Sequence, residues 1–305
     1  MREKDLNGKK LAKEIKNELK KNVERFVEKF NKTPRLAIVA VGHDLSAEAY
    51  IRSKQRTCKK VGIDNDLFEL PRTASLKDLK ETLNKLNRDE SIHGIILEMP
   101  LPGHIPYGEA VSLIDPGKDV DGLHPANLGL LSLGKPVFVP NTPKAVMKIL
   151  EENGVEIEGK QVTIVGRSLA VGKPLLALML ESNATPTVCH SRTVDLASHT
   201  RRADILVAAV GKAGFITADM IKEGAVVIDV GINVVDDGIV GDVAYEGVYD
   251  KASLITPVPG GVGPLTVAMI LENTFRAAWL SLGRPELKHN LFKSPGINCN
   301  FIPSE

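Results

Sequence analysis

Cysteine is scarce in this sequence. The 305 residues include three cysteines, Cys58, Cys189 and Cys299, and no two of them form a CxxC pair. This spacing argues against a disulfide framework and against a zinc site, so we expect no bound metal. It also favours a reducing compartment, and we expect a cytoplasmic protein.

An excess of one charge and a long apolar run are also missing. The formal net charge is +1, which gives no electrostatic reason to expect nucleic acid or an anionic membrane as a partner. No segment approaches the roughly 18 consecutive apolar residues that a membrane span requires, and the charged start MREKDLNGKK does not resemble a secretory signal. With 43% hydrophobic and 25% charged residues, the composition is that of a globular protein with one large or two medium domains.

Strand-like and helix-like segments alternate along most of the chain. In the first half, hydrophobic periodicity predicts helices over 8–30, 47–62 and 75–88 and strands over 35–42, 65–69 and 94–99. In the second half, Thr142 is predicted to cap a helix that begins with Pro143 and ends near Asn153. Further strands are predicted over 161–166, 186–190, 204–211 and 225–231, with helices beginning near Val171 and spanning 265–282.

This alternation indicates the α/β class, with parallel sheets covered by helices on both faces. We expect two domains. The first spans residues 1–140 and is completed by a C-terminal helix at about 265–284, and the second spans 141–264. Residues 285–305 have a turn-rich composition and are expected to form an irregular tail.

The segment QVTIVGRSLAVGKPL indicates a phosphate-binding turn. Gly166 ends a predicted strand, Ser168 lies in the loop, and Gly172 begins a helix. Glycines at these positions permit a tight turn and a close approach of backbone N–H groups to a pyrophosphate. The spacing differs from G-x-G-x-x-G, and an ordinary strand-to-helix turn is the alternative.

The end of the next strand favours NADP over NAD. An NAD-binding unit usually places an acid there to bind the ribose 2′-hydroxyl, whereas this chain reads CHSRT. Arg167, Ser191 and Arg192 could instead bind a 2′-phosphate through charge-assisted hydrogen bonds. The alternative is that both arginines are solvated loop charges.

The most distinctive stretch is SLITPVPGGVGPLTVAMILENT, a proline- and glycine-rich loop that opens a helix. Together with AEAYIRSKQRTCKKVGI, HGIILEMPLPGH, PGKDVDGLHPANLG and VTIVGRSLAVGKPL, it resembles the methylenetetrahydrofolate dehydrogenase/cyclohydrolase family over nearly all of residues 5–280. The resemblance implies a three-layer α/β N-terminal domain, a Rossmann NADP-binding domain and a cleft between them. It also implies a homodimer that oxidises 5,10-methylenetetrahydrofolate with NADP and hydrolyses the product to 10-formyltetrahydrofolate.

The resemblance assigns roles to individual residues. Tyr50 and Lys54 are four residues apart on one helix face and match the family's Y-x-x-x-K motif. Lys54 would carry the proton in the hydrolysis and Tyr50 would stack on or orient the pterin ring. Asp121, the second acid of KDVDG, would bind the pterin nitrogens, whereas Asp119 is interpreted as structural.

The same resemblance places a second set of residues around the substrate and the cofactor. Pro259, Gly260 and Gly263 would form the wall opposite Tyr50 and Lys54, close to the pterin and the nicotinamide. Gly231 and Ile232 would support the nicotinamide.

Glu98 departs from the family pattern, which usually has glutamine in V-Q-L-P-L, whereas this chain reads L-E-M-P-L. A carboxylate within reach of Lys54 would favour the ammonium form, which is a poor base. We therefore expect the hydrolysis to be impaired or altered while the oxidation persists. Alternatively, Glu98 is protonated beside Asp121 and resembles an amide, because the three groups form a coupled system.

Other functions remain open from the sequence. The chain could be a dehydrogenase without hydrolase activity, another two-domain Rossmann dehydrogenase of the amino-acid or shikimate type, or a folate binder without catalytic activity.

Overall fold

A computed structural model describes residues 2–42, 45–236 and 238–283. The predicted irregular tail at 285–305 and Cys299 lie outside these residues. The chain forms two compact units. The three-stranded unit contains Glu14–Val139 and the described residues from Ile270 onward. The five-stranded unit contains the residues up to Lys13 and Pro140–Met269. The predicted α/β fold with parallel sheets is confirmed.

The three-stranded unit has a parallel sheet in the order β2-β1-β3. Its elements are α1 (Gly8–Phe30, from Glu14 onward), β1 (Arg35–Val41), α2 (Leu45–Val61), β2 (Asp64–Leu70), α3 (Leu76–Arg88), β3 (Gly94–Leu97), α4 (Tyr107–Val111) and α5 (Pro125–Ser132).

Both faces of the central strand β1 are buried, because its alternate side chains enter two different apolar clusters. Ile38 packs with side chains of α1 and α2 on one face, and Val39 packs with side chains of α3 on the other. This arrangement explains the uninterrupted apolar sequence RLAIVAV, which is typical of a parallel strand covered by helices on both sides.

The five-stranded unit has a parallel sheet in the order β10-β7-β6-β4-β5 and an antiparallel hairpin, β8-β9. Its elements are α6 (Asn141–Glu152), β4 (Gln161–Val165), α7 (Gly172–Glu181), β5 (Thr185–Cys189), α8 (Leu196–Thr200), β6 (Ile205–Ala208), β7 (Val226–Asp229), β8 (Asn233–Val235), β9 (Gly238–Val240), α9 (Tyr245–Tyr249), β10 (Leu254–Ile255) and the first part of α10 (Val262–Ser281).

The N-terminal segment pairs with the outer strand of this sheet. Leu6 N–H donates to the Ile255 carbonyl at 2.8 Å, and Ile255 N–H donates to the Lys4 carbonyl at 3.0 Å. The Arg2 guanidinium lies 3.4 Å from the centre of the Tyr249 ring. Residues up to Lys13 therefore group with the five-stranded unit, whereas the domain boundaries predicted from the sequence include them in the first domain.

Two helix starts differ from the sequence prediction. Helix α6 begins at Asn141 after Pro140, so Thr142 lies inside the first turn and the prediction that it caps the helix is wrong. Helix α10 begins at Val262 rather than at residue 265. Both helices have a proline at their third position, which is tolerated because the N–H groups of a first turn have no partner within the helix.

No helix in the described part of the chain is long and apolar enough to cross a membrane. The two cysteines that the structure describes, Cys58 and Cys189, are buried and free.

Candidate functional site

Lys54 and Glu98 form a partly buried ion pair in the three-stranded unit. Lys54 lies on α2, and Glu98 directly follows β3, where its N–H donates to the Val39 carbonyl of the neighbouring strand at 2.8 Å. The Lys54 Nζ atom donates to both carboxylate oxygens of Glu98, at 2.5 and 2.7 Å. Their side chains are 17% and 10% exposed. The pair therefore sits at the carboxyl end of the parallel strands, where open α/β sheets bind their ligands.

One face of α2 runs from solvent into the core, with Lys54 in the middle. Tyr50, one turn before Lys54, is 47% exposed, and Cys58, one turn after it, is fully buried. Burial raises the pKa of the Cys58 thiol to about 12, so the thiol stays neutral at physiological pH. Tyr50 and Lys54 thus share one helix face, as the i, i+4 spacing predicts.

Two acids and a tyrosine lie near each other after β3. Asp119 is 1% exposed and accepts hydrogen bonds from the His124 N–H at 2.7 Å and the Asn127 amide at 2.8 Å. Burial raises the pKa of Asp119. Burial and the charges of Asp121 and Asp119 also raise the pKa of Tyr107. Tyr107 is a neighbour of Asp121 that the sequence reasoning missed, because no motif marks it.

The loop after β4 has the geometry of a phosphate-binding turn. Gly166 has a φ of +139°, and a Cβ there would lie 2.3 Å from the Ala209 carbonyl oxygen. A Cβ on Gly172 would lie 2.0 Å from the Gly166 carbonyl oxygen. Only glycine fits at both positions. In the first turn of α7, the Lys173 N–H donates to the Ser168 carbonyl at 3.1 Å and the Leu175 N–H donates to the Val171 carbonyl at 2.9 Å, so the N–H group of Gly172 is the one that can approach an anion. Ser168 is exposed, and its Oγ accepts from the Val171 N–H at 3.1 Å.

The loops after β4 and β5 are adjacent. Gly166 N–H donates to the Cys189 carbonyl at 2.9 Å, which holds the ends of the two strands together. Arg167 on the first loop and Ser191 and Arg192 on the second are all exposed. The residues proposed to bind a 2′-phosphate therefore follow adjacent strand ends, and their role remains a prediction.

The TPVPGG loop has close backbone contacts that require glycine. Gly260 has a φ of +119° and accepts from the Lys9 N–H at 2.9 Å. A Cβ on Gly8 would lie 1.8 Å from the Gly261 carbonyl oxygen, which accounts for the glycine of the LNGKK motif. The start of α1 thereby supports this loop.

The remaining predicted residues also lie in the five-stranded unit. Ile232 is 50% exposed, and its Cδ1 lies 3.8 Å from the position that a Cβ on Gly263 would occupy. Gly231 is buried after β7, and Pro259 is exposed. The predicted residues are thus divided between the units. Tyr50, Lys54, Glu98 and Asp121 belong to the three-stranded unit.

Metal-binding side chains do not cluster among residues 2–42, 45–236 and 238–283, where no group of three His, Cys, Asp or Glu residues could hold an ion.

Two family models match the chain. Residues 6–121 match the catalytic domain of tetrahydrofolate dehydrogenase/cyclohydrolase, and residues 140–281 match its NAD(P)-binding domain. The chain is 49% identical over 273 residues to the bifunctional protein FolD of a Nitratiruptor species, covering 90% of this chain and 97% of the relative.

Solved structures agree with this assignment. The bifunctional FolD of Campylobacter jejuni superposes with a TM-score of 0.88 at 43% identity, covering 90% of this chain and 98% of that one. The methylenetetrahydrofolate dehydrogenase-cyclohydrolase of Trypanosoma brucei, solved with NADP and an inhibitor, also has a TM-score of 0.88, at 38% identity over 91% of this chain and 98% of that one. This chain is therefore an enzyme of the tetrahydrofolate dehydrogenase/cyclohydrolase family, with the catalytic and the NAD(P)-binding domain of that family.

Proposed function

We propose that this enzyme oxidises 5,10-methylenetetrahydrofolate to the methenyl form with NADP and hydrolyses the methenyl form to 10-formyltetrahydrofolate. The observation that carries the proposal is the partly buried Lys54–Glu98 pair at the carboxyl end of β3, within the match to the catalytic domain. The presence of both family domains favours both activities over a dehydrogenase alone. It also argues against another type of Rossmann dehydrogenase and against a binder without activity.

NADP fits the five-stranded unit. Gly166 and Gly172 shape the turn, and the Gly172 N–H at the start of α7 would bind the pyrophosphate. Arg167, Ser191 and Arg192 would bind the 2′-phosphate, while Gly231 and Ile232 would support the nicotinamide end. When bound, NADP supplies the hydride acceptor.

The oxidation requires little acid–base chemistry from the protein. A nitrogen lone pair of the substrate stabilises the cation that forms as hydride leaves, so the residues have to orient the pterin and exclude water. We assign pterin binding to Tyr50 and Asp121 of the three-stranded unit. Contact with the pterin is also proposed for Pro259, Gly260 and Gly263.

The hydrolysis needs an activated water molecule and stabilisation of a tetrahedral intermediate. Neutral Lys54 would take a proton from the attacking water through its Nζ atom. Because the methenyl form is an amidinium cation, the water oxygen bonds to its methenyl carbon to give a neutral tetrahedral carbinolamine. The Lys54 ammonium group would then give its proton to the ring nitrogen as the bond from that nitrogen to the carbon breaks, and the hydroxyl proton passes to solvent as the formyl carbonyl forms. Glu98 holds the Nζ atom through which Lys54 would act.

We also propose that the enzyme is a cytoplasmic homodimer. The hairpin β8-β9 supports the dimer, because four of its apolar side chains are at least 37% exposed, namely Val234, Val235, Ile239 and Val240. Sedimentation equilibrium would test this proposal, and a monomer mass at micromolar concentration would contradict it.

The proposed reaction can be tested with the purified enzyme. Mixing NADP with methylenetetrahydrofolate should produce the absorbance of NADPH, and adding methenyltetrahydrofolate alone should lead to its loss above the spontaneous rate. The absence of NADPH formation would refute the dehydrogenase, and an unchanged methenyl signal would refute the cyclohydrolase.

A further inference from the structure

Two buried carboxylates in the five-stranded unit have no role in the chemistry above. Asp229 is the last residue of β7 and is 3% exposed, and Asp242 follows the hairpin β8-β9 and is 0% exposed. Because burying a carboxylate is costly unless hydrogen bonds compensate it, their partners indicate what the two acids hold in place.

Asp242 accepts hydrogen bonds from consecutive N–H groups of the loop after β6. Its Oδ2 atom accepts from Val210 at 2.6 Å and from Gly211 at 2.9 Å. Its Oδ1 atom accepts from the Lys212 N–H and from the Asn233 side-chain amide, both at 2.9 Å. The loop is therefore wrapped around this carboxylate, which satisfies N–H groups that a sharply turning backbone leaves without partners.

Asp229 connects the loop after β7 to the segment that carries Asp242. Its Oδ1 atom accepts from the N–H groups of Gly231 and Asp242, both at 2.9 Å. Its Oδ2 atom accepts from the Val243 N–H at 2.9 Å. The two acids thus connect three separate segments at the carboxyl ends of β6 and β7.

Two glycines make this close approach possible. A Cβ on Gly231 would lie 2.3 Å from Asp242 Oδ1, and a Cβ on Gly241 would lie 1.9 Å from Asp229 Oδ2. Each carboxylate therefore occupies the space that a side chain on the opposite segment would need. This reciprocal fit leaves each loop little freedom to move away.

The loops held in this way border the nucleotide site. Strand β4 lies between β5 and β6 in the sheet, so the order of the strands reverses at β4. Open α/β sheets bind their ligand at such a reversal. The Ala209 carbonyl, at the start of the β6 loop, lies 2.3 Å from the position of a Cβ on Gly166. The loop that Asp242 shapes therefore packs directly against the phosphate-binding turn.

We propose that Asp242, held by Asp229, is a positioning residue for the dinucleotide. It keeps the β6 loop against the Gly166 turn without touching the cofactor. The proposal rests on the proposed use of NADP by this unit, and it adds a residue to which no binding or catalytic role was assigned above.

The test is Asp242→Asn, which keeps the size of the side chain but replaces one oxygen by an NH2 group. In either orientation, this NH2 group faces two N–H donors, so two hydrogen bonds are lost. The dissociation constant of NADP, measured by calorimetry, is expected to rise at least about tenfold, the equivalent of roughly 1.4 kcal/mol. The KM for methylenetetrahydrofolate and the kcat are expected to change less than about threefold, because a loss confined to cofactor binding leaves them intact.

Asp204→Asn is the matched control. Asp204 precedes β6 at the opposite end of the same strand and accepts hydrogen bonds from the Gln161 N–H at 2.9 Å and from Lys222 Nζ at 2.5 Å. Its replacement also removes one charge and weakens a contact with the backbone, but it should leave NADP affinity unchanged.

A second variant covers the case in which Asp242→Asn does not fold. Asn233→Ala removes a single donor to Asp242. The dissociation constant of NADP should rise about threefold, because only one partly exposed hydrogen bond is lost. Unchanged NADP affinity in whichever of the two variants folds, or an equal loss for both substrates, would overturn the proposal. If the unsubstituted enzyme binds NADP but does not reduce it, the proposed reaction fails while the calorimetric comparison still tests Asp242.

Discussion

Replacing Glu98 by glutamine is expected to accelerate the hydrolysis. In the native enzyme, Lys54 Nζ lies 2.5 and 2.7 Å from the two carboxylate oxygens, and both side chains are largely shielded from water. The carboxylate offers two acceptor oxygens to the Nζ atom through which Lys54 would act. Glutamine has nearly the same shape but one acceptor oxygen and no charge.

The size of the effect follows from the contacts that are lost. A hydrogen bond to a charged group contributes about 1.5–3 kcal/mol, and glutamine cannot replace the second of the two bonds to the ammonium group. Taking the lower value, about 1.5 kcal/mol less is needed to release the Nζ atom from the side chain at position 98, which corresponds to roughly tenfold in an equilibrium constant. If neutral Lys54 is the base, hydrolysis by Glu98→Gln should be about tenfold faster near pH 7.

The assay starts from methenyltetrahydrofolate, so that the hydrolysis is measured without the oxidation, and it covers pH 6 to 9. The oxidation is followed separately as NADPH formation and should change less than about twofold, because it requires no proton transfer by Lys54. Glu156→Gln is the matched control, since Glu156 pairs with Lys160 at 2.8 Å on the surface of the other unit. Equal hydrolysis by the native enzyme and Glu98→Gln across this pH range would refute the account of Glu98.

Three further outcomes are expected. Arg167→Ala and Ser191→Ala should each raise the KM for NADP at least about tenfold more than the KM for NAD, because a charge-assisted contact with the 2′-phosphate is lost. Equal increases of both KM values in steady-state kinetics would contradict this assignment. Gly172→Ala should abolish NADP binding in a calorimetric titration, since its Cβ would lie 2.0 Å from the Gly166 carbonyl oxygen, and normal affinity would disprove the tight turn. Burial raises the pKa of Asp229 from 3.8 to about 6, so the folded protein binds this proton more tightly than the unfolded chain. The free energy of unfolding relative to Asp229→Asn should therefore rise by about 1.3 kcal/mol between pH 7 and pH 5, and a constant difference in urea unfolding would argue against the raised pKa.

Hydrophobic periodicity was sufficient to predict the helices that bury one face along their whole length. The apolar residues of α1 recur at helical spacing, and the helix spans Gly8–Phe30 where the sequence predicts 8–30. Helix α3 begins at Leu76 after Ser75, whose side chain accepts from the Asp78 N–H in a capping box. The hairpin β8-β9 was missed because each strand has three residues, which is too short for alternation to be recognised.

The candidate site was predictable where chemistry follows local spacing. Tyr50 and Lys54 share a helix face because of their i, i+4 separation, and Glu98 could be expected at a strand end. The pairing of Asp229 with Asp242 could not be found in this way, because the hairpin between them brings the two acids together. A signal is nevertheless present, since each acid lies within two residues of a glycine, in DVG at one segment and GD at the other.

The pairing of residues 4–6 with β10 has a practical consequence for handling this protein. Strand β10 is the outermost strand of its sheet, and an uncovered edge of this kind can pair with another molecule and cause aggregation. The N-terminal segment blocks that edge through the hydrogen bonds of Ile255 with Lys4 and Leu6. Deleting residues 2–6 would remove this protection, so a purification tag should be attached without altering them.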